Sequence, residues 1–559
     1  MKKLINDPRF VVREMLEGVV DAHPALALLA HENVVVRSAA TTSRRPTVAI
    51  ISGGGSGHEP AHAGYIGTGM LTAAVAGDVF TSPSVDAVLA AVRHAGQAGD
   101  VLLIVKNYTG DRLNFGLAAE LARHEGIAVE SVIVGDDVAL GDRVARDRRR
   151  GIAGTVLVHK LAGAAAEAGM DLAQVAAIAR RAAADVRSMG VGLGHCTLPA
   201  VGKPGFLLGD DEIELGLGIH GEKGASRIKT ASADDLVDIV LDAILADLPN
   251  PDARPIALLV NGLGGTPPME LAIVMRRALG SLRERGLEVA RAWMGNFMTA
   301  LEMPGFSLSL LPVDQERLRL LDAPTDASAW PRSQALRSER PVVATAAAKT
   351  DGDDLPFVPS PIAGTMHEVV ENIAARLIAA EPLLTDLDAK SGDGDLGASM
   401  VRGAEAIQGL PSRSYATPDA LLLAMGGAIR RAIGGSSGPF YATALVRAAA
   451  TLKGIAAPSE ADWQRALAAA IDAISELGGA KRGDRTMLDA LIPALEEWRG
   501  QSGDIAAAAR AAEEGASGTA KMHPRMGRAS YLSERALGIP DGGAVAVGVW
   551  LRAVAEALA

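Results

Sequence analysis

The chain has 559 residues, enough for two or more domains that each bury a core without disulfide or metal support. Its composition is ordinary globular, poor in aromatics at 3%, and a net charge of -11 argues against nucleic acid or an anionic membrane as main partner. A single cysteine, Cys196, excludes an intrachain disulfide and fits a reducing compartment.

The N-terminus, MKKLINDPRF, carries two lysines with no apolar stretch behind them, so no secretory signal is expected. Apolar runs are strand-length, and none approaches a membrane span. The expectation is a soluble, cytoplasmic protein.

Between about residues 45 and 320, short β-branched runs alternate with longer Ala/Leu-rich segments. The runs 47–51, 101–105, 129–134 and 256–260 predict buried strands, and 84–98 and 114–125 predict helices. Such alternation predicts an α/β domain with a parallel or mixed sheet. The strand at 47–51 runs into Ser52-Gly-Gly-Gly-Ser-Gly-His58-Glu59-Pro60, read as a glycine turn. There the backbone can approach a ligand closely and His58 adds a titratable group, although a purely structural turn uses the same residues. The strand at 101–105 ends in Lys106-Asn-Tyr-Thr-Gly-Asp111, polar residues where open α/β sheets place ligands; a solvated loop is the plain alternative. His220, among the glycines of 216–222, reads by itself as a hydrogen-bonding residue rather than a nucleophile. Asn261-Gly-Leu-Gly-Gly-Thr266 reads as a tight strand–helix turn. Cys196 reads as a small buried apolar residue, with activation by the adjacent His195 as the alternative.

Residues 323–356 are rich in proline and charge without periodicity, which marks a linker. The expected division is 1–325, a linker at 326–355, and 356–559. In the last part, apolar residues recur at helical spacing through 373–378, 421–429, 442–452, 463–477 and 487–498, so an all-α domain is expected. Its opening holds Asp388-Ala-Lys-Ser-Gly-Asp393-Gly-Asp395-Leu-Gly397. Three carboxylates within eight residues repel one another unless a cation joins them, and Mg²⁺ held by carboxylates and substrate phosphates is the usual phosphoryl-transfer arrangement. A solvated acidic loop or a Ca²⁺ site fits the same segment.

Taken together, GGGSGHEP (53–60), KNYTGD (106–111), GLGIHGE (216–222), SGDGDLG (391–397), GGSSG (434–438), GDRTMLDAL (483–491) and GRASYL (527–532) resemble the dihydroxyacetone kinase family in its fused form. The motifs span nearly the whole chain in the right order. The resemblance implies an α/β ketose-binding K domain followed by an all-α, helical-barrel L domain that binds ATP. It implies that His220 holds a short ketose as a covalent hemiaminal. Gly55, Ser56, Gly57 and His58 would line the pocket, Lys106 would contact the substrate, and His58 and Asp111 would assist proton transfer, Asp111 as the base. In the L domain, Asp388, Asp393 and Asp395 would hold Mg²⁺. Ser436 and Ser437 would contact phosphates, and Gly478, Thr486, Met487, Asp541, Gly542 and Gly543 would complete the nucleotide site. Gly542 stands where the family usually has proline. A homodimer is implied, with ketose and ATP as the small-molecule partners. The resemblance also admits an erythrulose kinase, a lyase forming cyclic FMN from FAD, or a ligand-sensing regulator.

Overall fold

In the computed structural model, the residues described are 2–38, 47–97, 99–205, 207–222, 224–248, 254–332, 334–343, 359–500, 504–527, 530 and 536–559. They form two compact units, Met1–Ala344 and Thr345–Ala559. Among them, no helix is long and apolar enough to cross a membrane.

The first unit contains two six-stranded sheets. One is built from β1 (Leu26–Leu28), β2 (Val34–Arg37), β3 (Val48–Ser56), β4 (Ala73–Val79), β5 (Asp100–Lys106) and β6 (Val129–Val134), in the order β1-β2-β4-β3-β5-β6. The other is built from β7 (Arg187–Gly192), β8 (Glu212–Leu215), β9 (Ser226–Lys229), β10 (Ile256–Gly262), β11 (Val289–Gly295) and β12 (Gly305–Pro312), in the order β11-β10-β12-β7-β8-β9. Both are mixed. β3, β4, β5 and β6 pair in parallel, whereas only β10 and β11 do so in the second sheet.

The continuous apolar runs of β3 and β5 follow from burial on both faces. Val48, Ile50, Leu102 and Ile104 point into one core, and Ala49, Ile51, Val101 and Leu103 into another, as the two-residue strand period requires. The first core also takes Ala257 and Leu259 of β10, so both sheets share it. Between them lie α4 (Thr155–Glu167) and α5 (Leu172–Asp185), which follow α1 (Val11–Ala22), α2 (Val85–Gly96) and α3 (Thr109–His124) in the chain. Nearly every residue of α4 is buried, as befits a helix in a central layer. α2 and α3 cover the outer face of the first sheet. α6 (Ala233–Asp247) and α7 (Pro268–Glu284) cover that of the second, and α8 (Gln315–Asp322) packs on the shared core.

The predicted strands are present, but the glycine run does not form a turn. Gly53, Gly54 and Gly55 continue β3, paired with Val75, Ala76 and Gly77 of β4. A side chain at Gly55 would lie 2.6 Å from the backbone nitrogen of Thr81, so the strand stays bare to let its neighbour pass. The expected linker also begins late: Ala327 and Trp330 are buried in the shared core, so the chain is still part of the first unit there. Residues 344–358 lie outside the described residues.

The second unit is helical: α9 (Ala363–Ala379), α10 (Glu381–Ser391), α11 (Leu396–Gln408), α12 (Pro418–Ala432), α13 (Ser437–Leu452), α14 (Glu460–Gly478), α15 (Leu488–Trp498), α16 (Ile505–Gly518) and α17 (Gly542–Ala557). Local signals set their ends. Ser459 and Asp462 form a capping box at α14, and Asp541 caps α17 by accepting from Ala544 N–H at 2.8 Å. Successive helices from α11 pack on one another, and α17 packs on α9.

Candidate functional site

In the first unit, the strand ends bring His58, Lys106, Asp111 and His220 into one cluster, hereafter the pocket. β3 delivers Gly54–His58, β5 delivers Lys106, and Asp111 sits in the first turn of α3, where the helix amides favour a carboxylate. The loop after β8 brings His220, whose ring centroid lies 4.9 Å from that of His58, 5.2 Å from Phe80 and 4.6 Å from Tyr108. Gly54 has φ +152°, and a side chain there would lie 2.6 Å from Lys106 Nζ. Bare backbone therefore gives Lys106 its place beside the loop.

Hydrogen bonding fixes the tautomers. His220 Nδ1 is 2.7 Å from Glu222 Oε1, and a carboxylate only accepts, so Nδ1 donates, and in the neutral form of the ring the lone pair lies on Nε2. The His220 amide donates to Glu222 Oε2 at 3.0 Å. Burial opposes the charge on Glu222, yet the hydrogen bond from His220 and, when that ring is protonated, its positive charge hold the carboxyl down at about 2. His58 Nδ1 donates to Thr299 O at 2.8 Å, and its Nε2 is buried without a hydrogen-bond partner among the described residues. Burial, with Lys106 nearby, pulls His58 well below the usual histidine range, so its ring is neutral and Nε2 is a free acceptor. Asp111 is 3% exposed, and its Oδ1 likewise has no partner among the described residues. Orphaned buried polar atoms are uncommon, and two in one pocket point to a ligand that supplies the missing hydrogen bonds.

Several residues of this pocket were not singled out in the sequence. Thr299 and Leu301 clamp the loop, with Leu301 N–H donating to Gly57 O at 2.7 Å and Thr299 Oγ1 to Glu59 O at 2.9 Å. Asn261 is no turn residue; it ends β10 fully buried, accepts from Phe297 and Met298 N–H at 2.8 and 2.9 Å, and donates to Met298 O at 2.8 Å. It thereby braces the segment that carries Thr299. Glu222, two residues beyond His220, was visible as a local spacing; Thr299 and Asn261 had no such signal. Cys196 packs with Leu217, Leu263, Ala300 and Met303, and burial and Glu302 push its thiol up to about 11. It is a packing residue.

In the second unit, Asp388 lies near the end of α10, and Asp393 and Asp395 lie on the turn into α11. One carboxylate oxygen from each lies within 4.8 Å of the others, a spacing one divalent cation spans. Asp388 Oδ2 accepts from the amides of Asp395 and Leu396 at 2.9 and 3.2 Å, which closes the turn. Asp393 and Asp395 are exposed and Asp388 half-buried. A side chain at Gly392 would collide with the Asp388 carboxylate, which explains that glycine.

Of the other predicted nucleotide residues, Gly542 is the one shown beside this turn among the described residues. Gly542 faces Leu396, and Gly543 faces Met487 at the start of α15. Gly478 abuts Phe440 of α13, the helix that Ser436 and Ser437 open. Burial raises Asp541 to about 6. Arg485, 2% exposed, donates to Ala536 O and Ile539 O, the latter at 2.9 Å, and so holds the segment before Asp541. Most of the GRASYL motif, residues 528, 529, 531 and 532, lies outside the described residues.

The fold defines a two-unit protein with a polar cluster holding two histidines in an α/β unit and a turn of three neighbouring carboxylates in a helical one. A Dak1 domain matches residues 17–329 and a DAK2 domain residues 390–556. The chain is 44% identical to the triokinase/FMN cyclase of Homo sapiens over 100% of its length and 99% of that protein. It is 37% identical to a D-erythrulose kinase of Mycolicibacterium smegmatis, over 100% of this chain and 98% of that one. The crystal structure of the C. freundii dihydroxyacetone kinase in complex with AMP-PNP and Mg²⁺ matches with a TM-score of 0.63 and 39% identity, covering 99% of both chains. The chain belongs to the dihydroxyacetone kinase family, with both domains on one polypeptide.

Proposed function

We propose that the protein phosphorylates a short ketose with ATP, most simply dihydroxyacetone to dihydroxyacetone phosphate. The observation that carries this reading is the cluster itself, where His220 offers Nε2 beside a neutral His58, and Lys106 stands by an Asp111 oxygen unpaired among the described residues. His220 Nε2 adds to the ketose carbonyl, forming a C–N bond while the carbonyl π electrons go to oxygen; the proton that oxygen takes is balanced by the Nδ1 proton that the ring gives up to Glu222, and the neutral hemiaminal so formed fixes the substrate. Lys106 holds a substrate oxygen, and Asp111 takes the proton of the hydroxyl to be phosphorylated. Gly55, Ser56 and Gly57 line the pocket with backbone. Glu222 keeps His220 in the nucleophilic tautomer.

In the second unit, read as the ATP-binding domain, Asp388, Asp393 and Asp395 fit Mg²⁺ in donor type and spacing. When bound, the ion neutralises charge on the transferred phosphoryl group. Ser436, Ser437, Gly478, Thr486, Met487 and Asp541 to Gly543 surround the nucleotide in this reading. The barrel form is supported by α17 packing on α9. A homodimer belongs to the same reading and is checked by mass in solution.

The test is ATP-dependent turnover on dihydroxyacetone, erythrulose, glyceraldehyde and glycerol, alongside FAD with Mn²⁺. Ketose phosphorylation far above glycerol supports the reading. Turnover of FAD alone would replace the kinase with the lyase. Preference for erythrulose would keep the mechanism and change the substrate.

A further inference from the structure

The Lys106 ammonium is fully buried, and its nitrogen lies 3.3 Å from His62 Nε2, itself on a ring only 7% exposed. Burial pulls Lys106 down, offset by the attraction of Asp111, Glu222 and Glu59, in that order. His58, His62 and His159 face it as well, all driven neutral by burial. An ammonium only donates, so His62 Nε2 accepts and its proton resides on Nδ1.

The remaining contacts agree on one set of proton positions. His62 Nδ1 lies 3.4 Å from Ser52 Oγ, and His159 Nε2 lies 3.0 Å from the same oxygen. Ser52 donates its only hydroxyl proton to Ile104 O at 2.7 Å, so Oγ has both lone pairs for the two rings. His159 then carries its proton on Nε2, and its Nδ1 is indeed buried without a partner among the described residues. The donors run from Lys106 through His62 and Ser52 to the carbonyl of β5.

We propose that His62 is a positioning residue for Lys106. It accepts one ammonium hydrogen and so sets the direction in which the other two are presented to the ketose, while Ser52 and His159 hold it in the accepting tautomer. A lysine side chain has several rotatable bonds, and one fixed acceptor removes freedom that a substrate would otherwise have to quench. The inference rests on the reading of Lys106 as a ketose contact.

The test uses the full chain with dihydroxyacetone and Mg²⁺–ATP. Glutamine places its amide near the position of Nε2, and asparagine near that of Nδ1. His62→Gln should keep the ketose KM within about threefold of the parent. His62→Asn and His62→Leu should raise it about tenfold or more, with the ATP KM unchanged. Equal ketose KM values for His62→Gln and His62→Asn would overturn the proposal, as would an ATP KM that rises in step. Lys106→Met, measured in parallel, separates the proposal from its foundation. A parent-like ketose KM there would remove Lys106 from the site and the proposal with it. Lost ketose affinity there, with equal glutamine and asparagine variants, would overturn the role of His62 alone. If the leucine variant fails to fold by circular dichroism, the glutamine–asparagine pair decides.

Discussion

In the first unit, His58, Lys106 and Asp111 are at most 3% exposed, while Asp393 and Asp395 of the second unit stand in solvent. Each arrangement suits a different ligand. In the proposed reading the first site takes a small uncharged ketose, whose hydroxyl and carbonyl groups exchange water for hydrogen bonds to Lys106 and the unpaired acceptors. The orphaned Nε2 of His58 and Oδ1 of Asp111 are tolerable in that reading because the ligand would supply their partners. Three carboxylates cannot be enclosed that way, since burying them without a cation would cost several kcal/mol each. Left exposed, they can take a cation that keeps part of its hydration, as Mg²⁺ prefers. In that reading, burial separates ketose chemistry from phosphate chemistry along the chain.

The sharpest test of that separation is Asp393→Asn. Phosphoryl transfer should fall about a thousandfold or more, while calorimetric ketose binding stays as in the parent. Normal turnover would remove the carboxylate turn from the chemistry, and lost ketose binding would mean the two sites are not independent.

His220→Ala makes the complementary test. The ketose adduct seen by intact-protein mass spectrometry should vanish, ketose kcat/KM should drop about a hundredfold, and discrimination against glycerol should relax. No adduct in the parent, with unchanged discrimination in the variant, would reduce His220 to a brace of its loop.

A smaller effect is expected from Glu222→Gln, which keeps an acceptor for His220 and loses the charge. Ketose kcat/KM should fall about tenfold. In the folded protein the Glu222 carboxyl is held at about 2, below its ordinary 4.5. Its contribution to stability is therefore fully present above 4.5 and is lost as pH falls toward 2. Urea midpoints of parent and variant should differ at pH 7 and converge across that window. A gap that stays constant down to the acid end would contradict the pairing.

Gly542→Pro should do least. Proline suits the first position of α17, and restricting the unfolded chain favours folding by about 0.4–1 kcal/mol. Against this, a side chain at 542 would lie 2.7 Å from Leu396 Cδ2, a flexible end that must give way. Thermal unfolding should shift by a few degrees at most, with turnover unchanged. A large loss of stability would show that Leu396 is locked beside the carboxylate turn.

Much of the architecture was legible because it is local. The strands at 101–105 and 129–134 follow from apolar runs. The helices of the second unit follow from apolar spacing and from caps such as Ser459, and the carboxylate turn from eight consecutive residues. The family followed from seven short motifs in order. What those patterns lacked was any statement of which faces meet. Gly53–Gly55 reads as a turn until β4 is placed alongside, and Asn261 reads as a turn until it is found bracing the loop of Thr299. His58 and His220 are far apart in sequence, as are Lys106 and His62, and no periodicity encodes their approach. Composition and spacing alone determined the two-unit plan, the strands at 47–51, 101–105, 129–134 and 256–260, the helical character of the second unit and the residue types available for chemistry. Only the tertiary structure decided which of them are buried, which tautomers they hold and which atoms are left unpaired, because desolvation and hydrogen-bond partners come from contacts between distant segments.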